Sequence, residues 1–212
     1  MKQDTLLIEL HYLPCIQYFA YLNTFEKVII DPEDTYTKQT YRNRCRINGA
    51  NKIEDLIIPV KKISNQKQLS SNVKIDYQQK WVSNHLRAIR SAYGKAPFFE
   101  FFVDDIFEIY NKKPERLFEL NRNLLTKCLE ILDLNVNIEY QKRLASTEEK
   151  CIYKAKNKVS PKKSGKKNHL FLPVEYFQVF GNNFVSNLSI IDLIFCEGPR
   201  AKLILEKSSA LE

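Results

Sequence analysis

Three apolar stripes of helical period run back to back between residues 81 and 131, and nothing else in the chain constrains its fold as tightly. Val82, Leu86, Ile89 and Tyr93 recur at helical spacing and stop at Gly94 and Pro97. Phe99, Phe102, Val103, Ile106, Phe107 and Tyr110 repeat the period, and Leu117, Leu120, Leu124, Cys128 and Ile131 do so again after Pro114. Helices with one apolar face need a surface to cover. Runs of strand length supply it on both sides, at residues 6–10, 27–31, 44–47, 56–60 and 136–140, with Val73 and Ile75 suggesting an edge strand. Pro14 ahead of Ile16, Phe19 and Ala20 reads as a helix with proline near its first turn. The expected fold is a single α/β domain over residues 1–210, a mixed sheet with covering helices and a strand–loop–helix ligand site at its N-terminus. A last helical stretch breaks at Gly198-Pro199, and Leu211-Glu212 reads as a tag remnant.

The formal charge of +8 invites a nucleic-acid reading until its distribution is examined. Eight lysines and no acid fall between residues 150 and 167. Without them the chain carries 25 basic and 25 acidic residues, so a nucleic-acid partner is not expected. With Ser160-Pro161 and Ser164-Gly165, the segment at about 154–168 has the composition of a flexible loop, available for peripheral contact with an anionic surface. No apolar run approaches the length of a bilayer span. The opening residues 1–5 lead into only a short apolar stretch, so neither a secretory signal nor a location outside the cytoplasm is expected. Five scattered cysteines lack zinc-site or C-x-x-C spacing; they read as free thiols, and no metal site is assigned. Cys15 and Cys45 would need a base or a positive field to act as nucleophiles.

Several residues have the right chemistry in the right place. His11 follows the first strand and precedes a helix N-terminus, where exposed N–H groups and the helix dipole favour an anion and an imidazole can move a proton. Tyr41-Arg42-Asn43-Arg44-Cys45-Arg46 carries three guanidinium groups which, on a strand, face one way and suit phosphate or carboxylate; a solvated strand face is the alternative. Lys61 lies just beyond the strand that follows. His85 flanks the first helical stripe near its boundary with solvent. Ser189 and Asp192 have capping-box spacing, which offers Asp192 either backbone N–H groups or a catalytic role. No Gly-rich phosphate loop, HExxH or GxSxG is present in the chain.

Taken together the sequence resembles the WbqC-like family of bacterial proteins, several of which are associated with O-antigen and other surface-polysaccharide gene clusters. The resemblance rests on His11 with Leu13-Pro14 and Tyr18-Phe19, Asp31, Tyr41-Arg42-Asn43-Arg44 with Ile47, and Pro59-Val60-Lys61. It continues through Trp81, His85, Tyr93, Ala96-Pro97-Phe98, Tyr176-Phe177-Gln178-Val179-Phe180 and Asn187-Leu188-Ser189-Ile190-Ile191-Asp192-Leu193. The short opening loop and the lysine segment resemble a compact, Bacteroidetes-type branch. The resemblance implies one site, with His11, His85 and Asp192 in catalytic roles and Tyr18, Tyr41, Arg42, Asn43, Arg44, Lys61, Gln178 and Ser189 binding substrate. Such a set suits a cytoplasmic transferase-like enzyme for an activated, anionic small molecule, a nucleotide-sugar or acyl donor, with no cofactor assigned. The rival reading is a non-catalytic module that grips an anionic polymer or lipid head group.

Overall fold

A computed structural model describes residues 3–61, 68–141, 152–161 and 170–209. Strands β1 (Gln3–Leu7) and β2 (Phe25–Ile30) flank helix α1 (Ile16–Thr24) in a βαβ unit and pair in parallel. Strand β5 (Asn137–Tyr140) joins the outer edge of β2, and β6 (Ile152–Lys154) joins the free edge of β1, both parallel, giving the order β5-β2-β1-β6. The chain thus builds outward from β1 through β2 to β5, then returns to the opposite side of β1. Strand order reverses between β1 and β6, which is where open parallel sheets place their ligand crevices.

A separate antiparallel pair, β3 (Arg44–Asn48) and β4 (Ile53–Ile57), lies beside this sheet, with Arg46 opposite Asp55. Helices α2 (Trp81–Tyr93), α3 (Phe99–Asn111) and α4 (Leu117–Ile131) follow the three sequence stripes, and α5 (Ile190–Glu197) and α6 (Ala201–Ser208) flank a single turn at Gly198–Arg200. Helix α5 is buried on every side, and its Ile190, Leu193, Ile194 and Phe195 are sealed in the core with Phe99 and Tyr93. The architecture is α/β, with a parallel sheet, an antiparallel pair and covering helices in one hydrophobic core.

Three local readings are corrected by the structure. Val73 and Ile75 form no strand: a single helical turn, Ser70–Asn72, precedes them, and Ile75 makes only an isolated bridge to Val60. On α2 the buried face carries Trp81, His85, Ile89 and Ala92, while Val82 and Leu86 lie half-buried, so His85 points inward and away from the boundary. The lysine segment begins as part of the sheet: Ile152–Lys154 is β6, Ala155 is fully buried and donates its N–H to Leu7, and residues 156–158 form a turn. Its remaining lysines, at 150, 162, 163, 166 and 167, and the closing residues 211–212 lie outside the described residues.

Candidate functional site

Three of the four parallel strands deliver polar groups just past their carboxyl ends. Glu9 and His11 follow β1, Asp31 follows β2, and Lys156 and Asn157 follow β6. Ile8 and Ala155 extend the ladder by one backbone bond each, to Ile29 and Leu7, and hold these tails parallel as they leave the sheet. The segment carrying Arg42 is pinned to them. Tyr12 donates its N–H to the Tyr41 carbonyl, Asn121 of α4 donates its side-chain N–H to the Arg42 carbonyl, and Asn43 exchanges bonds with Ile58.

The result is a chain of charge across the reversal point. Both Glu9 oxygens accept the Asn157 N–H, at 3.0 and 3.1 Å. Arg42 places Nη1 3.6 Å from Glu9 Oε1, donates from the same nitrogen to Asn157 Oδ1 and donates Nη2 to Asp34 Oδ2 at 3.1 Å. Lys156 Nζ reaches Asp34 Oδ1 at 3.1 Å and Asp31 Oδ2 at 3.8 Å. His11 is sealed from solvent with Nε2 3.3 Å from Glu9 Oε1, its ring lying between Tyr18 and Tyr41.

Burial sets the charge states. Burial alone would raise the Glu9 carboxyl, but His11 and Arg42 bring it down to about 2, so Glu9 is ionised. His11 moves below its ordinary value because burial disfavours the imidazolium more than Glu9 favours it. At neutral pH an ionised Glu9 therefore stands beside a neutral imidazole.

A shallow cleft opens on this chain, lined by Glu9, Asp31, Asp34, Tyr36, Arg42 and Asn121 on its polar side and by Leu10, Leu117 and Phe118 on its apolar side. Its floor has room for about one water molecule. Three of the residues that line it, Tyr36, Arg42 and Asn121, each carry a buried polar atom, Oη, Nε and Oδ1, without a hydrogen-bond partner among the described residues. Buried polar atoms are ordinarily satisfied by protein or by ordered water, and the space beside these three suits one water.

The residues singled out from sequence divide into separate groups. Arg42 lines the cleft, and His11 with Tyr18 and Tyr41 around it lies buried behind Glu9. Arg44 and Arg46 do not join Arg42; they pair with Asp55 of β4 at 3.5 and 3.0 Å on the outer face of the hairpin. The alternation put Arg44 and Arg46 on one face, but Arg42 precedes β3, where strand alternation does not apply. Lys61 is exposed and bonds through its backbone to Lys74. Asn43 is a buried brace for Ile58.

His85 accepts or donates at 2.9 Å with Tyr12, which meets Tyr110 at 2.6 Å beneath Trp81; burial lowers His85 to about 4. No hydrogen bond or ring contact joins it to His11. Asp192 forms a third group. It caps no helix: Tyr176 and Gln178 donate to its Oδ2 at 2.5 and 3.1 Å, and its pKa rises because burial outweighs Tyr176, Tyr93 and Gln178. Ser189 donates its hydroxyl to Leu13. Burial pushes Cys15 up to about 12 and Cys45 well above its ordinary value, so both stay thiols.

The anion site expected at the start of α1 is closed. Ile16 N–H is bonded to the Leu188 carbonyl at 3.0 Å and Gln17 N–H to Asn187 Oδ1 at 2.9 Å, while Tyr18 and Phe19 turn back on Cys15. Leu13, at φ 37° and directly before Pro14, holds a left-handed conformation that the Ser189 bond helps to maintain. Glu9, Asp34, Tyr36, Asn121 and Asn157 were not singled out from sequence. The signal for Glu9 is a lone acid inside an apolar strand-length run, two residues before His11. Among the described residues no group of three or more histidine, cysteine or carboxylate ligands is placed to hold a metal ion, and no helix is long and apolar enough to cross a membrane.

The model of the WbqC-like protein family matches residues 10–160 of the chain. Rv1507c of Mycobacterium tuberculosis (strain ATCC 25618 / H37Rv), described as an uncharacterized protein, is 27% identical over 133 residues, which is 62% of this chain and 57% of that protein. The chain therefore spans little more than half the length of the curated relative it matches. No solved structure matches the chain.

Proposed function

The chain belongs to the WbqC-like protein family, and from that premise we propose that it is a group-transferring enzyme for an activated anionic small molecule, a nucleotide-sugar or acyl donor, with its chemistry at the Glu9–Arg42–Asn121 cleft. The carrying observation is the run of buried and part-buried charges, Glu9, Arg42, Asp34 and Lys156, gathered past the carboxyl ends of the parallel strands on the reversal point of the sheet. The family resemblance adds surface-polysaccharide biosynthesis in the cytoplasm as the setting.

In this reading Arg42 is the cation of the cleft that an anionic donor would meet, and the helix N-terminus is not used, since its N–H groups are spent. Glu9 faces the cleft and orients the incoming nucleophile by accepting its O–H or N–H. A carboxylate held at about 2 is a weak base by itself. Behind it His11, with Nε2 3.3 Å from the carboxylate, holds Glu9 in its ionised, accepting form. His11 is thus a positioning residue. Of the lysines that the binding-module reading would use, Lys156 is turned onto Asp31 and Asp34 and Lys158 lies over the Tyr153 ring, 4.0 Å from its centroid, while those at 150, 162, 163, 166 and 167 lie outside the described residues.

A thermal-shift screen against nucleotides, nucleotide-sugars, acyl donors and divalent metals tests the proposal, since a ligand specific for the native state raises Tm. Stabilisation by a donor should be lost in Glu9→Gln and Lys156→Met and kept in Arg44→Ala, whose pairing lies outside the cleft. Stabilisation lost only in Arg44→Ala would place the site on the hairpin and refute the assignment.

A further inference from the structure

Helices α2 and α3 lie side by side and run in opposite directions. Trp81 at the start of α2 meets Tyr110 near the end of α3, with ring centroids 6.1 Å apart, and Tyr93 and Phe99 both pack on Phe195. Their outward faces carry opposite charge. From Trp81 to Phe99 the sequence holds no acid, and Arg87, Arg90 and Lys95 are exposed. From Phe99 to Asn111 it holds no lysine or arginine, and Glu100, Asp104, Asp105 and Glu108 are exposed. The two rows do not neutralise each other within the chain. The Arg90 guanidinium lies over the Phe107 ring, 5.8 Å from its centroid, and Glu108 pairs with Lys112 one turn on. Among the described residues Arg87, Lys95, Glu100, Asp104 and Asp105 make no ion pair. Phe101 stands in the acidic row and is 74% exposed, more than any other large hydrophobic among the described residues, with Phe98 beside it at 6.1 Å between ring centroids.

We infer that this face docks a second copy of the chain, α2 of each protomer lying against α3 of the other. Along the antiparallel pair, Trp81 is level with Tyr110 and Tyr93 with Phe99, so Arg87 is level with Asp104 and Asp105, and Arg90 is near the level of Phe101. A two-fold axis parallel to the helices and between them keeps those levels and exchanges the helices. Arg87 of each copy then faces Asp104 and Asp105 of the other, and each exposed Phe101 ring meets an arginine that can lie over it. The alternative two-fold, across the helices, sets base on base and acid on acid, so charge selects the first. A partner of one sign, such as a nucleic acid or an anionic membrane, matches α2 and is repelled by α3; a second copy matches both.

The size of the face sets the strength. Each helix has 13 residues, so the pair presents about 20 by 20 Å, roughly 400 Å² on each copy. That lies at the small end of specific interfaces, and the association is accordingly weak and sensitive to salt.

Sedimentation equilibrium over about 10–500 μM protein at roughly 50 mM salt should show a monomer–dimer equilibrium that moves toward monomer at about 500 mM salt. Arg87→Glu, and separately Asp104→Arg with Asp105→Arg, should each weaken self-association at least about tenfold, because each places like charges opposite one another in both halves of the interface. All three positions are exposed, so Tm should be kept. An equimolar mixture of the two variants should regain the dimer, since the introduced acid of one copy faces the introduced bases of the other while the remaining half is native. A protein that stays monomeric over the whole range overturns the inference. So does a dimer that withstands both variants, and so does a mixture that associates no better than its components.

Discussion

Acidification should loosen this protein through His85, and the size of the effect follows from its surroundings. The ring is packed against Trp81 and tied to Tyr12, which is itself tied to Tyr110. Burial brings it from an ordinary 6.5 to about 4. Between those values the unfolded chain binds a proton that the native chain refuses, so stability rises with pH across the window and falls on acidification. The interval corresponds to roughly 3 kcal/mol by about pH 4, a large part of a typical stability. Other buried groups titrate nearby, so the contribution has to be isolated by difference. His85→Gln keeps a polar side chain of similar reach that does not titrate. Urea unfolding of both proteins at about pH 7, 5.5 and 4.5 gives the comparison, and the wild type should lose about 2 kcal/mol more than the variant across that range. Parallel pH profiles would show that the native state accommodates a charged His85, and would refute the argument that burial controls it.

Other expectations can be measured on purified variants. Asp192→Asn should cost little at neutral pH, because Tyr176 and Gln178 can donate to the amide oxygen. The wild type's gain as pH falls through the raised Asp192 pKa should vanish in that variant, read as a flatter acid limb of Tm against pH. Gly198→Ala should cost on the order of 3 kcal/mol in denaturant melts, since φ is +53° and an added Cβ would sit 2.5 Å from the Phe98 ring. Asn187→Ala strips the bonds to the Gln17 N–H and side chain and should cost about 1–2 kcal/mol, with α1 amides exchanging faster by hydrogen-exchange mass spectrometry. Arg44→Ala removes a part-exposed pair with Asp55 and should change stability by less than about 1 kcal/mol.

What was readable in the sequence was what local period governs. The stripes on α2, α3 and α4 and the runs that became β1, β2 and β5 lie close to where spacing put them, because one apolar face per element is enough to specify them. Sites built by long-range closure were harder to read. Arg42, Arg44 and Arg46 look alike in a row, and only the packing of residues 40–43 against α4 and β6 separates Arg42 from the others. Ser189 and Asp192 have the spacing of a cap, but Tyr176 and Gln178 reach the carboxylate first. β6 was hidden among lysines because a three-residue edge strand needs little more than a register against β1. The start of α1 was read as open, since the groups that close it arrive 170 residues later.

That closure has a consequence for how the polypeptide can be divided and made. Ile16, Leu13, Pro14 and Arg46 are stitched to residues 188–190, and Phe98 to Phe195. A fragment cut to residues 10–160, the stretch that carries the family signature, would lose α5 from the centre of the core and leave the first turn of α1 without partners. During synthesis the amino-terminal βαβ unit likewise waits for residues 187–190 to emerge before its entry loop can settle.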